Sequence, residues 1–347
     1  MRRITSLSIS KQFYSILKKG ILDAGSKDGD KLPSIRALAA EYNLSKTTVS
    51  SAIAILENEG LVEAIQGKGV FIKKNGVKEK LIGVMLYNFQ EETKVEAGIL
   101  NGIQKNLGTG YFLSMMDTAN DMDIICRNAN HLINAGAKGL IILPPKCPEA
   151  DEKDIEKLNQ IIDSKIPVSF LLRDVEYFRS DFVAVDYSNA TYEVVDYLIK
   201  NGKARIALIK HDYQVFALQE VDAYKKAFYD NNCIYDSKYL HDWGDVKEMR
   251  AYLKEIISET DALITSSHLI HNMKDIINRE QASRGDKLYA VGINNDVFEE
   301  AINGPTITIN FPAEKIGEVA IKLLMDRMEL NEIGRKRKEV VEAYIKV

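Results

Sequence analysis

The sequence lacks the features that mark membrane, secreted and metal-binding proteins. It contains no apolar run of the roughly 18 residues that a membrane-spanning helix needs. Its first residues, MRRITSLSISKQF, include no continuous apolar segment, so no secretory signal is predicted and we expect a cytoplasmic protein. The three cysteines are widely spaced and form no Cys-x-x-Cys pair, which argues against a disulfide framework or a zinc site.

The common enzyme motifs are also missing. No Gly-x-Gly-x-x-Gly follows a predicted strand, and neither a Gly-x-x-x-x-Gly-Lys-Ser/Thr loop nor a nucleophile elbow occurs. His268 and His271 stand three residues apart, as metal ligands can, but no nearby Glu or Cys has ligand spacing, so a solvated or hydrogen-bonded pair is the better interpretation. We predict no catalytic residues, no metal and no cofactor, and a protein that is not an enzyme.

What the sequence does contain is an uneven distribution of charge. The whole chain has a formal net charge of −4, yet residues 1–76 hold 12 Lys and Arg against 7 Asp and Glu, a net +5. A basic head on an acidic remainder is typical of polyanion binding, because cationic side chains displace counterions from a phosphate backbone. The alternative is an ordinary solvated surface. The length of 347 residues predicts two or three domains.

The first 75 residues predict three short helices followed by a hairpin. Ser34 and Ser45 are placed to cap the second and third helices, and Gly60 to end the third. Short β-type runs at 61–65 and 70–74 flank Gln-Gly-Lys-Gly, a hairpin signal. The apolar positions predicted to face the core are Ile9, Phe13, Ile16, Leu17 and Ile21, then Ile35, Leu38, Ala39 and Tyr42, then Val49, Ala52, Ile53 and Leu56.

This order of elements is that of a winged helix-turn-helix, whose third helix places its first turn in the major groove of DNA. That turn has the sequence Ser-Lys-Thr-Thr, and its small hydroxyls and helix dipole favour a phosphate. The glycines of the hairpin tip would let the backbone and Lys68 approach the duplex. The alternative is that the hydroxyls only cap the helix and the glycines only form a turn, but several such features in register favour DNA binding.

The segment KLPSIRALAAEYNLSKTTVSSAIAILENEGLVEAIQGKGVFI resembles the DNA-binding domain of the GntR family of bacterial regulators. The matching positions are Leu-Pro-Ser-x-Arg, Ser-basic-Thr-Thr-Val, Leu-x-x-x-Gly and Gln-Gly-basic-Gly. The family often has Arg where Lys46 and Ser50 stand, and Lys lacks the planar fork that reads guanine. The resemblance implies DNA contacts by Arg36, Ser45, Lys46, Thr47, Thr48 and Gly67.

From Leu81 onward, nine apolar runs alternate with segments of helical spacing, which predicts parallel sheets with helices on both faces. Nine strands are many for one sheet, so we expect two lobes around a cleft. The charged segment KNGVKEK before them predicts a linker. The predicted fold is α/β, with a winged helix-turn-helix domain over residues 1–74, a linker over 75–80 and a two-lobed effector-binding and dimerisation domain over 81–347.

Polar residues follow many of the predicted strands. Ligands of open α/β sheets bind outside the carboxyl ends of the strands, so these residues would line the cleft. Many are neutral hydrogen-bonding groups or isolated charges, which suits a polyhydroxylated ligand, although strand ends are polar in general. They are Tyr87, Asn88, Asp117, Arg173, Asp174, Asp186, His211, Ser267, His268 and Asn294.

Residues 81 to about 325 resemble the type I effector domain shared by lactose-repressor-type regulators and periplasmic sugar-binding proteins. The collinear segments IGVML, AGAKGLIILPP, IPVSFLLRD, DALITSSHLI, AVGINND and PTITINFPAEKIGEVAIKLL carry the resemblance. It implies two lobes with a sugar between them. Arg173 keeps a family position, and Trp243 and Phe311 fall near positions where a ring would cover a sugar, although a single Trp is more often a core residue. Residues common in the family are replaced at Leu172, Glu220, His268 and Asn294.

The predicted function is that of a homodimeric transcription regulator whose partners are operator DNA and a sugar or sugar derivative, with no membrane contact. Loss of DNA affinity on sugar binding, as in a repressor, is the usual direction. A transport-type binding protein is disfavoured by the missing export signal, and a sugar-processing enzyme with a DNA-binding head by the missing nucleophile and metal set. The predicted ligand contacts are Tyr87, Asn88, Arg173, Asp174, Glu220, Trp243, His268, Asn294 and Phe311.

Overall fold

The described residues between 9 and 73 form short elements whose ends are set by helix caps and by Gly60, as the sequence indicates. The Ser34 and Ser45 hydroxyls accept hydrogen bonds from the backbone N–H groups of Ala37 and Thr48, at 3.1 and 3.0 Å. Three helices result, at Ile9–Leu22 (α1), Ile35–Glu41 (α2) and Lys46–Asn58 (α3). The computed structural model describes residues 9–22, 26–73, 79–87, 94–108, 110–145, 152–172, 180–210, 214–242, 244–283, 287–293, 302–330 and 336–347.

The core of this unit lies between α1, α2 and α3. Ile9, Ile16 and Tyr42 are predicted to face it, but all three are exposed, so that part of the prediction is wrong. Tyr14 is buried in their place, because its hydroxyl donates to Glu59 Oε1 at 2.6 Å and accepts from Lys18 Nζ at 2.7 Å. The buried apolar residues are Phe13, Tyr14, Leu17, Ile21, Leu38, Ala39, Val49, Ala52, Ile53, Leu56, Leu61, Val62 and Ile72.

The hairpin consists of Val62–Ile65 (β1) and Gly69–Ile72 (β2), paired antiparallel. The segment before α2, whose Asp-Gly-Asp sequence is typical of a turn, runs along the other edge of β2. Leu32 N–H donates to the Val70 carbonyl at 2.8 Å, and Ile72 N–H donates to the Asp30 carbonyl at 2.7 Å. We call residues 29–32 and 62–72 the wing.

The chain divides into two compact units, one formed by residues 1–80 with 108–112 and the other by the rest. Residues 74–78 lie outside the described part, so the predicted boundaries at 74 and 81 stay predictions. All nine apolar runs of the second unit form strands, and they divide between two six-stranded sheets as the two-lobe prediction requires. Among the helices that the structure describes, none is long and apolar enough to cross a membrane.

We call the six-stranded sheet and the helices between residues 80 and 186, with those between 313 and 342, lobe 1. Its sheet has the order β13-β7-β6-β5-β3-β4, and β13, β7, β6, β5 and β3 run parallel. The strands are Lys80–Leu86 (β3), Tyr111–Asp117 (β4), Gly139–Ile142 (β5), Val168–Leu172 (β6), Asp181–Asp186 (β7) and Lys338–Glu342 (β13), and the helices are Lys94–Asn106 (α4), Met122–Asn134 (α5), Glu152–Lys165 (α6) and Ala313–Leu330 (α12).

Lobe 2 comprises residues 187–312 and 344–347. Its sheet has the order β14-β12-β11-β10-β8-β9, parallel except for β14. The strands are Ile206–Ile209 (β8), Leu240–His241 (β9), Ala262–Ser266 (β10), Tyr289–Ile293 (β11), Thr306–Asn310 (β12) and Tyr344–Lys346 (β14), and the helices are Tyr187–Lys200 (α7), Gln214–Asp230 (α8), Val246–Ile256 (α9), Ser267–Asn272 (α10) and Lys274–Ala282 (α11).

The chain crosses between the lobes at 186–187, 310–313 and 342–344. The carboxyl end of β7 leads into α7, which packs on α8 of lobe 2, and the carboxyl end of β12 leads into α12, which packs on α4 and on the lobe 1 sheet. The carboxyl edges of the two sheets therefore face each other. At this junction the rings of Tyr187 and Phe311 meet edge to face, with centroids 4.8 Å apart.

Glycines bring α4 and α12 into close contact. A Cβ added at Gly102 would lie 2.0 Å from the Glu314 carbonyl oxygen, and one at Gly317 would lie 2.0 Å from the Ile99 carbonyl oxygen. The Glu314 carboxylate also bonds back to α4 through Lys105 Nζ at 2.8 Å. α12 is thereby held to lobe 1 directly after the chain returns from lobe 2.

A buried carboxylate ties three segments together at the amino edge of the lobe 1 sheet. Asp181, the first residue of β7, is 2% exposed. Arg327 from α12 donates to it through Nη2 and Nε at 2.8 and 2.9 Å, and Arg337 donates through Nη2 at 2.7 Å. Burial raises the pKa of Asp181, but the hydrogen bonds from both arginines outweigh it, so the pKa lies below its ordinary value.

Candidate functional site

The first turn of α3 presents the residues that the sequence singles out. Ser45 is the N-cap, and its Oγ lies 2.7 Å from Thr48 Oγ1 and 3.2 Å from Thr47 Oγ1. Ser45, Lys46 and Thr47 are exposed, while Thr48 is half-buried. The turn therefore combines a capped helix N-terminus, which favours an anion, with exposed donors on the same turn.

The tip of the wing is a tight turn closed by a hydrogen bond from Lys68 N–H to the Ile65 carbonyl at 2.9 Å. Gly67 and Gly69 adopt φ angles of 75° and 113°, which a residue with a side chain rarely adopts. Gln66, Gly67 and Lys68 are all exposed. The tip thus exposes backbone groups and an ammonium group together.

We call the first unit, residues 1–80 with 108–112, the head. Some of its described cations form ion pairs and others do not. Lys18 pairs with Glu59 and Lys73 pairs with Glu63, each at 3.0 Å. Arg36, Lys46 and Lys68 are exposed and form no ion pair with a carboxylate in the described part of the chain. Their charges remain available to an external anion.

Lys31 is a candidate that the sequence analysis did not single out. Its side chain crosses the wing: a Cβ added at Gly69 would lie 2.7 Å from Lys31 Cε, and Lys31 Nζ lies 5.9 Å from the centre of the Phe71 ring. The turn-like sequence Asp-Gly-Asp before it concealed the pairing with β2. Lys31 adds a cation to the surface that carries Lys68.

In the second unit, the described ligand candidates lie around the facing carboxyl edges. Tyr87 follows β3 and is half-buried, and Phe311 follows β12 and is 2% exposed beneath Tyr187. His268 lies on α10 directly after β10, exposed, with its Nε2 2.9 Å from Asn272 Nδ2. Glu220 lies on α8 and is 0% exposed. Within the described ranges, His, Cys, Asp and Glu side chains form no group of three placed to hold a metal ion.

The remaining ligand candidates fall outside the described residues: Asn88, Arg173, Asp174, Trp243 and Asn294, and the strand-end residue His211. The residue before Arg173 is described and unusual. Leu172, at the end of β6, has a φ of 63°, a left-handed conformation that costs a side-chain residue about 1–2 kcal/mol. Backbone strain of this kind clusters at ligand sites.

The model of the gntR family of bacterial regulatory proteins matches residues 9–72, which contain all three helices and the wing. Over 90 residues the chain is 36% identical to the HTH-type transcriptional repressor YtrA of Bacillus subtilis, covering 26% of this chain and 68% of YtrA. The chain belongs to the GntR family of regulators. This confirms the resemblance deduced from its first 75 residues.

Two further proteins are similar to this GntR-family chain over most of its length. The chain is 23% identical to the arabinose metabolism transcriptional repressor of Geobacillus stearothermophilus over 331 residues, 91% of this chain and 90% of the relative. It shares its fold with a solved structure described as a transcriptional regulator CelR–cellobiose complex, with a TM-score of 0.60 and 18% identity, over 91% of this chain and 99% of that one. The predicted fold class is confirmed.

Proposed function

We propose that this GntR-family chain is a cytoplasmic, homodimeric repressor whose head binds operator DNA and whose lobes bind a neutral or derivatised sugar that lowers operator affinity. The observation that carries the proposal is the exposure of Ser45, Lys46 and Thr47 at the start of α3, together with a wing whose cations form no ion pair in the described part of the chain. A two-fold dimer would place two such heads on half-sites of a palindrome.

On the DNA, Lys46 and Thr47 would contact the major groove, and Arg36, Gly67 and Lys68 would contact phosphates on either side. Ser45 and Thr48 would act mainly through the helix N-terminus, because their hydroxyls already bond to each other. Phosphate contacts position the head, whereas contacts to base edges select the sequence.

The effector proposal rests on the second unit, residues 81–107 and 113–347, which we call the body. The relative from Geobacillus is named for arabinose metabolism and the CelR structure holds cellobiose, so the sugar class is the natural starting point. The facing carboxyl edges supply the cleft, and Tyr87, Glu220, His268 and Phe311 lie around it. A ligand that prefers one arrangement of the lobes shifts operator affinity by its differential affinity alone.

The test begins with a duplex selected from a randomised pool by the full-length protein. We expect Arg36→Ala and Lys46→Ala each to weaken binding of that duplex about tenfold, measured by fluorescence anisotropy, and to reduce the salt slope by about one. Lys254→Ala, an exposed cation on α9, is the matched control. Unchanged affinity in both head variants would contradict the assignment of the DNA-binding surface.

Addition of L-arabinose or cellobiose to the protein–duplex complex tests the second half of the proposal. We expect one of these sugars, or a related one, to release the duplex, and Arg173→Ala to bind DNA but to lose the response. Equal DNA affinity with and without every bound sugar would contradict the coupling.

A further inference from the structure

We infer that α3 selects its half-site mainly through the methyl groups of thymine bases, which Thr47 and Ala54 contact, rather than through paired hydrogen bonds to purines. This rests on the proposed function and specifies the class of base sequence that the head prefers. Two features of α3 carry it: the side of the helix that is left exposed, and the short side chains on that side.

The exposed side of α3 lies opposite the face that packs into the core. Val49 and Leu56 are both 0% exposed, so they fix which side of the helix faces inward. At about 100° per residue, Thr47, Ser50 and Ala54 lie at the centre of the opposite side. A recognition helix turns its exposed side toward the base edges of the major groove. We call the exposed residues of this side the reading face: Lys46, Thr47, Ser50, Ser51 and Ala54.

The wing marks where the reading face ends. Glu57 lies one turn beyond Ala54 on the exposed side, but its Oε1 accepts a hydrogen bond from the Ala64 N–H of β1 at 2.9 Å. Its negative charge also opposes close approach of the phosphate backbone. The reading face therefore spans residues 46–54, about 12 Å of helix, which matches the width of the major groove.

The reading face carries almost only short side chains. From Thr47 to Ala54 the sequence contains no Arg, Asn or Gln, the residues that pair bidentately with guanine or adenine. Lys46 alone on this face can reach guanine O6 and N7. The hydroxyls of Ser50 and Ser51 both donate and accept, so they discriminate little between bases.

Methyl groups supply the remaining means of discrimination. Thr and Ala methyl groups contact the C5-methyl of thymine, which the other bases of DNA lack. The Thr47 hydroxyl points back to the helix cap, with Oγ1 3.2 Å from Ser45 Oγ, so the methyl group is the free end of that side chain. Ala54 presents its methyl group about two turns further along the same side. Short side chains also let the helix backbone enter the groove closely, which these contacts require.

The experiment replaces thymine by uracil, one position at a time, in the duplex selected by the full-length protein. Uracil keeps every hydrogen-bonding group of thymine and lacks only the methyl group. Fluorescence anisotropy should show binding about fourfold weaker at each contacted thymine, the affinity equivalent of one buried methyl group. Uracil placed outside the half-sites is the control and should change nothing.

Two variants assign the contacts to residues. Thr47→Ser removes a methyl group and keeps the hydroxyl, and Ala54→Gly removes a methyl group. Each variant should lose its sensitivity to uracil at one position and keep it at the other, as expected when the two methyl groups of one contact are coupled. Ala40→Gly, at an exposed alanine of α2, is the matched control and should keep the wild-type pattern.

Unchanged affinity for every uracil duplex would overturn the inference while leaving the proposed function intact. A loss of about tenfold or more on replacing purines by their 7-deaza analogues, at two or more positions of one half-site, would also overturn it, because such losses show paired reading of purines. Failure of the protein to select any duplex would instead contradict the proposed function, and the inference would fail with it. The wild-type uracil series decides the question even where Ala54→Gly does not fold.

Discussion

Replacing Asp181 by Asn should destabilise the body by about 3 kcal/mol. Removing one partner of a buried ion pair costs about 3–5 kcal/mol, because the remaining charge is left buried without compensation. Arg327 and Arg337 have side chains 12% and 31% exposed, so water can partly rehydrate them and the lower end of that range applies. For a unit of this size, such a loss corresponds to a fall in Tm of roughly 6–12 °C.

The assay is equilibrium urea unfolding followed by tryptophan fluorescence. Trp243 is the only tryptophan and lies in the body, so the signal does not report the head. The matched control is Asp326→Asn, since Asp326 also pairs with Arg337, at 3.4 Å, but its side chain is 61% exposed. We expect that variant to lose less than about 0.5 kcal/mol. Equal losses in the two variants would refute the reasoning.

The pH dependence gives a second check. A carboxyl group whose pKa is lower in the folded than in the unfolded chain stabilises the fold above its unfolded-state pKa, and the contribution is lost as the pH falls through the folded-state pKa. The pKa of Asp181 is shifted in that direction. The stability difference between wild type and Asp181→Asn should therefore be constant at neutral pH and shrink below about pH 4.

Three further substitutions test other contacts. Gly102→Ala should destabilise the body by about 1–3 kcal/mol, because its Cβ meets the Glu314 carbonyl; urea unfolding followed by circular dichroism measures the loss. Gly20→Ala on α1, whose Cβ meets nothing within 4 Å, should cause no such loss. Gly69→Ala should weaken binding of the selected duplex about tenfold, because its Cβ would meet the Lys31 side chain across the wing. Gly29→Ala, at a positive φ but with no close contact, should leave the affinity unchanged. An unchanged affinity in Gly69→Ala, with a loss in Gly29→Ala, would show that the contact with Lys31 does not set the shape of the wing. Phe311→Ala should cost about 3–5 kcal/mol by removing the partner of Tyr187, and a loss no larger than that of the exposed Phe112→Ala would contradict its role at the crossing.

Much of the fold could be predicted because its signals are local. Ser34 and Ser45 indicate where helices begin, because their side chains accept hydrogen bonds from the first turn of the helix that follows. Buried parallel strands such as β5 and β6 are recognisable as continuous apolar runs. β13 and β14 escaped prediction because KEVVE and YIK have little apolar pattern, and each is held by a partner strand far away in sequence. The burial of Tyr14 likewise depends on Glu59, which no local pattern reveals.

The candidate sites likewise combine residues that local sequence signals predict with residues that only contacts between distant segments bring together. Apart from Arg36 on α2, the predicted DNA contacts lie on one helical turn and one hairpin tip, and their sequence spacing alone indicates this. Lys31, in contrast, joins them only through a pairing across the wing. In the body, the sequence locates strand ends but not which of them converge.

The route of the chain through the lobes has a consequence for synthesis on the ribosome. Lobe 2 is nearly continuous, so its residues up to 312 can fold as they emerge. Lobe 1 is built from two separate stretches of the chain. The glycine face of α4 packs on α12, and the Asp181 carboxylate pairs with Arg337, so neither contact can form until the ribosome has translated all of β8–β12. The nascent body therefore passes through a stage in which its second lobe is folded while its first exposes an unpaired helix face, and that stage is where a chaperone would engage it.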